Sequence, residues 1–536
     1  MSRTLVIGWD GATWSIADAL CEQGRLPTLA SLRASGASGI LESVPNMNSA
    51  PAWSTIATGL NPGRHGIFYF DEPVPGTYRR RIVNARSRSG DSLWRIASRE
   101  GKRVIVVNVP ISYPAEEVNG FLVAGLDTPS KSLPGFTHPQ DLAGRNPDLF
   151  HDYVIEPGAP SLMRKGRTEE ARQQLMRSVE GWVSVTLRLM REEEWDLAFV
   201  VLTSTDTAHH FFWSDRGRST IERMYEIQDE ATGRLVELAR SQDPEVNVLV
   251  LADHGGGPNT RGPEFMRIWL EDQGLQVRMA PGAKERTLAA GFRLVNRTLT
   301  RGQKQALARR FKRLREHGEA ASRLGDIDWA RTSAYSDGRR DDVLVNVAGR
   351  EPEGRVAQSE YDTFVKGLTQ ALADIRELDT GEPVVARALH RTEAYSGPYI
   401  ERAPDIAIRW VPGRTFRGFV CSTARGGAKM REVASQPPFE PGGHEAEGLV
   451  VATGPDVGAG SIQGRLEDVT PTVLALLGLS IPAGLDGRPL PFVRGTLAHE
   501  GAVGSPAGAG AVDASTGYTP EEEEAVRQRL EDLGYL

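Results

Sequence analysis

The sequence predicts an α/β protein: a mainly parallel central sheet flanked by helices, with an inserted helical cap. Three observations predict it. Short apolar runs alternate with amphipathic segments, as expected of a sheet covered by helices on both faces. Two of the runs end in polar clusters of Asp and His, and in open α/β sheets ligands gather at the carboxyl ends of strands. The chain has 536 residues, 40% of them hydrophobic, long enough for one large domain with insertions.

The elements follow in order. Leu5-Val6-Ile7 reads as a buried strand, and residues 27–35 as a helix with Leu29 and Leu32 inward. Val104-Ile105-Val106-Val107 is a second buried strand. Residues 169–192 make a long helix, with Leu175, Val179, Trp182, Val183 and Leu187 on one face. Strands follow at 197–202 and 246–251. Residues 265–335 read as a basic helical insertion capping the site. Arg301, Lys304, Arg309, Arg310, Lys312, Arg313 and Arg315 carry its charge, though such a run equally suits a solvated helix. Further strands are expected at 342–347 and 406–410, a Gly/Pro-rich loop around 426–443, a strand over 448–452 and a helix over 470–477. The division that results is a first core part (1–264), the cap (265–335), a second core part (336–497), a flexible Gly/Ala/Ser linker (498–517) and a C-terminal helix (518–536). In that helix Thr519 caps, Pro520 begins, Gly534 stops, and Val526, Leu530 and Leu533 form one apolar face.

Composition excludes several classes. A net charge of −7 argues against general affinity for nucleic acid. No run approaches the ~20 apolar residues of a membrane span. The opening run is too short for a signal peptide, and Cys21 and Cys421 alone make neither a disulfide framework nor a cysteine zinc site. A cytoplasmic protein is expected, with its oligomeric state open.

The chemistry gathers in a few places. In Asn48-Ser49-Ala50-Pro51-Ala52-Trp53 a serine precedes a proline that suits a first helical turn. Ser49 is expected as N-cap, its hydroxyl beside free N–H groups that favour an anion. Alone, such a serine reads as a plain cap. Asp10 follows the first strand, Asp206-Thr207-Ala208-His209-His210 another and Asp253-His254-Gly255-Gly256 a third, while Gly443-His444 precedes the strand near 449. Asp206 and His210, four apart, share one side of a helical turn. Carboxylates and imidazoles are the ordinary zinc ligands where cysteine is absent.

This order resembles the alkaline phosphatase superfamily, and within it the type I phosphodiesterase/nucleotide pyrophosphatase family. The resemblance runs from Asp10 to about Pro491 apart from the basic insertion. It includes Thr58-Gly59-Leu60-Asn61-Pro62-Gly63-Arg64-His65-Gly66-Ile67, the segment from Asp468 to Leu479, and Asp486-Gly487-Arg488. It implies an alkaline phosphatase-like fold and two divalent ions, zinc before manganese. Asp206, His210 and His444 would hold one ion; Asp10, Asp253, His254 and the Ser49 oxygen would hold the other. His209 is left out by the family spacing.

Ser49 would then attack phosphorus to give a covalent phosphoseryl intermediate, later released by water. The expected substrate is an anionic phosphate ester, first a phosphodiester. The chain departs from the family in three ways. Ser stands where nucleotide phosphodiesterases commonly have Thr. Phe68-Tyr69-Phe70-Asp71 replaces the stretch with a phosphate-contacting Asn, and Ala50 stands where monoesterases have Arg. Phosphomonoesterase and phosphonate hydrolase chemistry remain alternatives, as does a non-catalytic binding platform. A sulfatase fits poorly because Trp53 occupies its Arg position.

Overall fold

The computed structural model describes residues 3–214, 216–259, 265–279, 324–337, 340, 342–413, 416, 418–422, 428–432, 440–494 and 517–536. Nine strands make one sheet: β1 (Thr4–Trp9), β2 (Ala37–Glu42), β3 (Val104–Val109), β4 (Gly120–Ala124), β5 (Thr137–His138), β6 (Leu197–Leu202), β7 (Asn247–Leu251), β8 (Glu447–Thr453) and β9 (Gly460–Arg465). Their order across the sheet is β9-β2-β8-β7-β1-β6-β3-β4-β5. The run β7-β1-β6-β3-β4 is parallel throughout, and β8 runs against both of its neighbours.

The central strands are apolar along their whole length because helices cover both faces. Leu5, Ile7 and Trp9 of β1 face one layer, which holds α2 (Thr168–Glu192) and α4 (Arg218–Gln242). Val6 faces the other, which holds α1 (Ser49–Thr58). Gly8 sits where a side chain cannot: a Cβ there would come within 2.4 Å of the Trp53 indole. Each large apolar side chain buried this way contributes roughly 1.5–3 kcal/mol. The stripe of Leu175, Val179, Trp182, Val183 and Leu187 expected on α2 is buried in that first layer.

Three adjacent parallel strands, β6, β1 and β7, end at the same edge. Asp10 follows β1, Asp253 follows β7, and β6 leads into α3 (Ser204–Phe212), which carries Asp206 and His210. The antiparallel β8 begins at that edge, so the short strand Gly442–Glu445 before it brings His444 to the same place. It is pinned there by antiparallel pairing with Gly255–Pro258.

A second unit has its own core. Ala334–Tyr335, Asp342–Val345, Ile406–Trp410 and Val385–His390 form a four-stranded antiparallel sheet. Val343, Val345, Leu368, Ile408 and Phe419 pack there with Phe265 and Trp269 of the helix Phe265–Asp272. The strands foreseen at 342–347 and 406–410 thus lie outside the central sheet. The basic stretch 301–315 and all but the last residue of the 498–517 linker lie outside the described residues. Among the described residues no helix is long and apolar enough to cross a membrane.

The last helix, α5 (Pro520–Leu533), has the expected ends. Thr519 caps it in a reciprocal pair with Glu522, and Gly534 ends it at φ 89°. Its apolar face is buried against Ala50, Ile67, Phe70, Ile82, Val83, Ile111 and Leu126.

Candidate metal centre

The nucleophile candidate differs by one position from expectation. Asn48, in extended conformation, is the N-cap, and its side-chain oxygen accepts from the Ala50 N–H. Ser49 is the first helical residue and Pro51 the third. Both positions tolerate a missing N–H partner, because the first four helical N–H groups have none within the helix. Ser49 is therefore not spent on capping, and its hydroxyl faces His254 Nε2 at 3.3 Å.

The element from Thr58 to Ile67 holds α1 in place. Gly59 ends α1 in the left-handed conformation, at φ 68°. Asn61 caps the next turn, and Asp486 accepts from the Asn61 N–H at 2.8 Å and from Arg64 Nη1 at 2.9 Å. His65 is fully buried. Its Nδ1 accepts from the Ile67 N–H, which leaves Nε2 to donate to Thr55 Oγ1 at 2.9 Å. Burial, reinforced by Arg88, lowers its pKa to about 3.

Around His254 four atoms converge. Its Nδ1 faces the Gly255 carbonyl at 3.1 Å, and donation there leaves the Nε2 lone pair pointing into the site. Nε2 lies 3.3 Å from Ser49 Oγ, 3.4 Å from Asp253 Oδ2 and 3.7 Å from Asp10 Oδ1. Each carboxylate is anchored by its other oxygen. Asp10 Oδ2 accepts from Trp53 Nε1 at 3.0 Å, and Asp253 Oδ1 accepts from the Gly11 N–H at 3.3 Å. The inward oxygens, Asp10 Oδ1 and Asp253 Oδ2, are buried without a hydrogen-bond partner. Leaving such groups unpaired is costly. A lone pair and two orphaned carboxylate oxygens around one point fit a divalent cation.

A second group lies beside it. His210 Nε2 and His444 Nε2 are 2.9 Å apart, and each is 3.4 Å from Asp206 Oδ1. The ligand atoms of Asp206, His254 and His444 also lie within 4.8 Å of one another, as do those of Asp10, Asp253 and His254. All seven residues singled out in the sequence therefore meet at one edge, with His254 between the two groups. His209 points elsewhere. Its ring packs on Trp213 and Tyr225, so close to Gly256 that a Cβ there would lie 1.9 Å from Nδ1.

The electrostatics suit a divalent cation between these groups. Burial, then the charges of Asp253 and Asp206, push the Asp10 carboxyl well above its usual range. Burial and Asp206 push Asp253 up to about 7. Asp206 is buried too, but His210 and His444 outweigh that and hold it well below the usual range. Three carboxylates cannot all ionise this close together without positive charge between them.

Three contributors were not read from the sequence. Trp53 was noted only as the place of an absent Arg, yet its indole orients Asp10. Gly11, at φ 72°, presents its N–H to Asp253. Tyr535, two residues past α5, donates its hydroxyl to Asp206 Oδ2 at 2.7 Å and lies 3.5 Å from Ser49 Oγ. No local signal marks Tyr535. The stretch that replaces the family's Asn contributes packing: Tyr69 donates to Asp342 at 2.6 Å, and the Phe70 ring lies 4.8 Å from that of Tyr535. A cavity of about 240 Å³ lies away from these ligands, between the turn near 72–81 and residues 335–351 and 401–404. Its Arg80 and Arg340 pair with Asp71, and its Arg350 pairs with Asp405.

Residues 4–417 match the model of the family described as type I phosphodiesterase / nucleotide pyrophosphatase. Among curated proteins no sequence relative was found. Phosphonoacetate hydrolase from Sinorhizobium meliloti 1021, in complex with phosphonoacetate, is similar in fold. The TM-score is 0.53 at 16% identity, over 89% of this chain and 95% of that one. A murine ectonucleotide pyrophosphatase / phosphodiesterase 5, inactive and in complex with AMP, matches at a TM-score of 0.49 and 14% identity, over 90% of this chain and 96% of that one. Fold and family together define a phosphoryl hydrolase of the alkaline phosphatase superfamily. Within that superfamily the chain belongs to the type I phosphodiesterase / nucleotide pyrophosphatase family.

Proposed function

We propose that the protein is a two-metal phosphodiesterase, zinc-dependent before manganese, in which Ser49 is the nucleophile. The observation that carries this reading is the convergence of Ser49 Oγ, Asp10 Oδ1 and Asp253 Oδ2 on His254 Nε2, with both carboxylate oxygens otherwise unpaired. Asp10, Asp253, His254 and Ser49 would hold one ion, and Asp206, His210 and His444 the other. Divalent ions there would neutralise the carboxylates, make the Ser49 hydroxyl easier to deprotonate and offset charge on the phosphoryl oxygens.

The chain's own residues do the rest. Ser49, fixed at the start of α1, attacks phosphorus in line; the Oγ–P bond forms as the bond to the leaving oxygen breaks. The leaving group departs with its electron pair and takes up the Ser49 proton by way of solvent. The oxygen of a water molecule later bonds to phosphorus as Oγ–P breaks, one water proton returning to Oγ, which releases a phosphate monoester and regenerates the hydroxyl. Trp53 and the Gly11 N–H hold Asp10 and Asp253 through their outer oxygens, so the inner oxygens stay aimed at the site. Ala50, fully buried, supplies no guanidinium for the second charge of a monoester, which favours a diester. A role as a mere binding platform does not account for a buried serine hydroxyl 3.3 Å from His254 Nε2 beside two unpaired carboxylate oxygens.

Hydrolysis of bis-p-nitrophenyl phosphate tests the reading, with p-nitrophenyl phosphate and phosphonoacetate as the monoester and phosphonate arms. Exhaustive chelation should abolish diester turnover and added zinc should restore it. Turnover undiminished after chelation overturns the two-metal reading.

A further inference from the structure

The last helix closes the pocket that the proposed reaction needs open. Val526 and Leu530 are fully buried, and Leu533 and Leu536 nearly so, in the apolar seat that begins at Ala50, the residue next to Ser49. Polar contacts fix the register. Arg529 Nη1 donates to the Leu126 carbonyl at 2.8 Å, and the Ile82 N–H donates to Glu523 Oε1 at 3.2 Å. Tyr518 donates to the Asp127 carbonyl at 2.7 Å, its ring stacked on Tyr113. At the end of this segment Tyr535 turns inward between Ser49 and Asp206.

A cavity of about 10 Å³ lies beside Ser49, lined by Asp10, Ser49, Glu156, Thr207 and Tyr535 among others. That is room for about one water molecule, whereas ligand pockets run to roughly 300–1,000 Å³. A cavity of that size does not hold a phosphate ester. The phenol oxygen lies 3.5 Å from Ser49 Oγ and 2.7 Å from Asp206 Oδ2, between the nucleophile candidate and a ligand candidate.

We propose that the segment 517–536 is an intramolecular cover of the catalytic pocket, its Tyr535 phenol seated in the phosphoryl position, so that tail and substrate exclude each other. The proposal rests on the reading of Ser49 as nucleophile. It assigns α5 a regulatory role: whatever displaces the helix raises the open fraction, and apparent affinity scales with that fraction.

Orthovanadate, a phosphoryl mimic, is the probe, with the zinc-loaded full chain. Vanadate should speed amide hydrogen exchange over 526–536 by about tenfold or more. Leu530→Asp, which places a charge in the apolar seat, should lower the half-saturating vanadate concentration by about tenfold or more. Tyr535→Ala should shift it the same way while exchange shows the helix still docked. Diester KM should fall in Leu530→Asp with kcat little changed. Vanadate bound by the unaltered chain without any change in tail exchange overturns the cover, and so does equal or weaker binding in Tyr535→Ala. These readings need no turnover. The expected affinity differences without hydrolysis in any chain would sink the hydrolase reading and leave the cover standing; brisk hydrolysis with equal affinities would do the reverse.

Discussion

The ligand edge and the last helix meet at Asp206 but are built on different principles. The edge is made by backbone: three adjacent parallel strands end together, and each delivers a carboxylate within a few residues of its last hydrogen-bonded position. The helix reaches the same atoms through apolar side chains far along the chain, with one phenol at its tip. Strand ends in a packed sheet are rigid, as a set of metal ligands requires. A single helix held by one apolar face and a few polar contacts at the surface is easier to displace, as a cover requires. The difference teaches that in this fold the chemistry and the access to it are separable, and substitutions should affect one without the other.

The largest effect is expected at the edge itself. His210→Ala should reduce zinc affinity and turnover by orders of magnitude, because it removes one of the three atoms grouped at Asp206 Oδ1. His209→Ala should cost stability with much smaller loss of zinc, since that ring packs on Trp213 and Tyr225. Zinc titration of both variants decides it. The reverse order would mean that the ligand register is shifted by one residue.

A smaller effect is expected one layer out. Trp53→Phe keeps most of the buried ring but loses the hydrogen bond to Asp10 Oδ2. Loss of such a support typically lowers metal affinity or activity by about 10–100-fold. Metal affinity equal to that of the unaltered chain would show that Asp10 needs no support from the indole.

The smallest lies in α1's scaffold. Burial keeps His65 neutral in the folded protein, its pKa lowered to about 3 from an ordinary 6.5. The unfolded chain therefore binds the extra proton first, and stability falls as pH drops from 6.5 toward 3. Between pH 6.5 and about pH 5 the loss is roughly 2 kcal/mol. Denaturant midpoints measured at both ends, against His65→Gln as control, check this. An equal pH dependence in the two proteins would contradict it.

Most of the edge was legible in the sequence because its residues sit in short local patterns. Asp10, Asp206, Asp253 and His254 each follow an apolar run, and strand ends are where an α/β sheet places ligands. The N-cap was missed by one residue because Asn48 and Ser49 are both good caps, and only the backbone shows that the helix begins at Ser49 with Asn48 extended. The apolar face of α5 was visible as a pattern. Its seat was not, since Ile67, Phe70, Ile82 and Leu126 come from separate segments that only the fold brings together. Tyr535 shares that reason: its partners, Ser49 and Asp206, are 486 and 329 residues away in sequence.

The central claim, that Ser49 is the nucleophile of a phosphoryl transfer, is tested most directly by trapping the intermediate. Zinc-loaded protein turning over a phosphodiester is quenched in acid, and the Ser49 peptide is weighed by mass spectrometry. The account predicts a phosphoryl ester on Ser49, absent in Ser49→Ala, with turnover of that variant lower by several orders of magnitude. An unmodified Ser49 together with near-normal turnover by Ser49→Ala would contradict it and place direct attack by water in its stead.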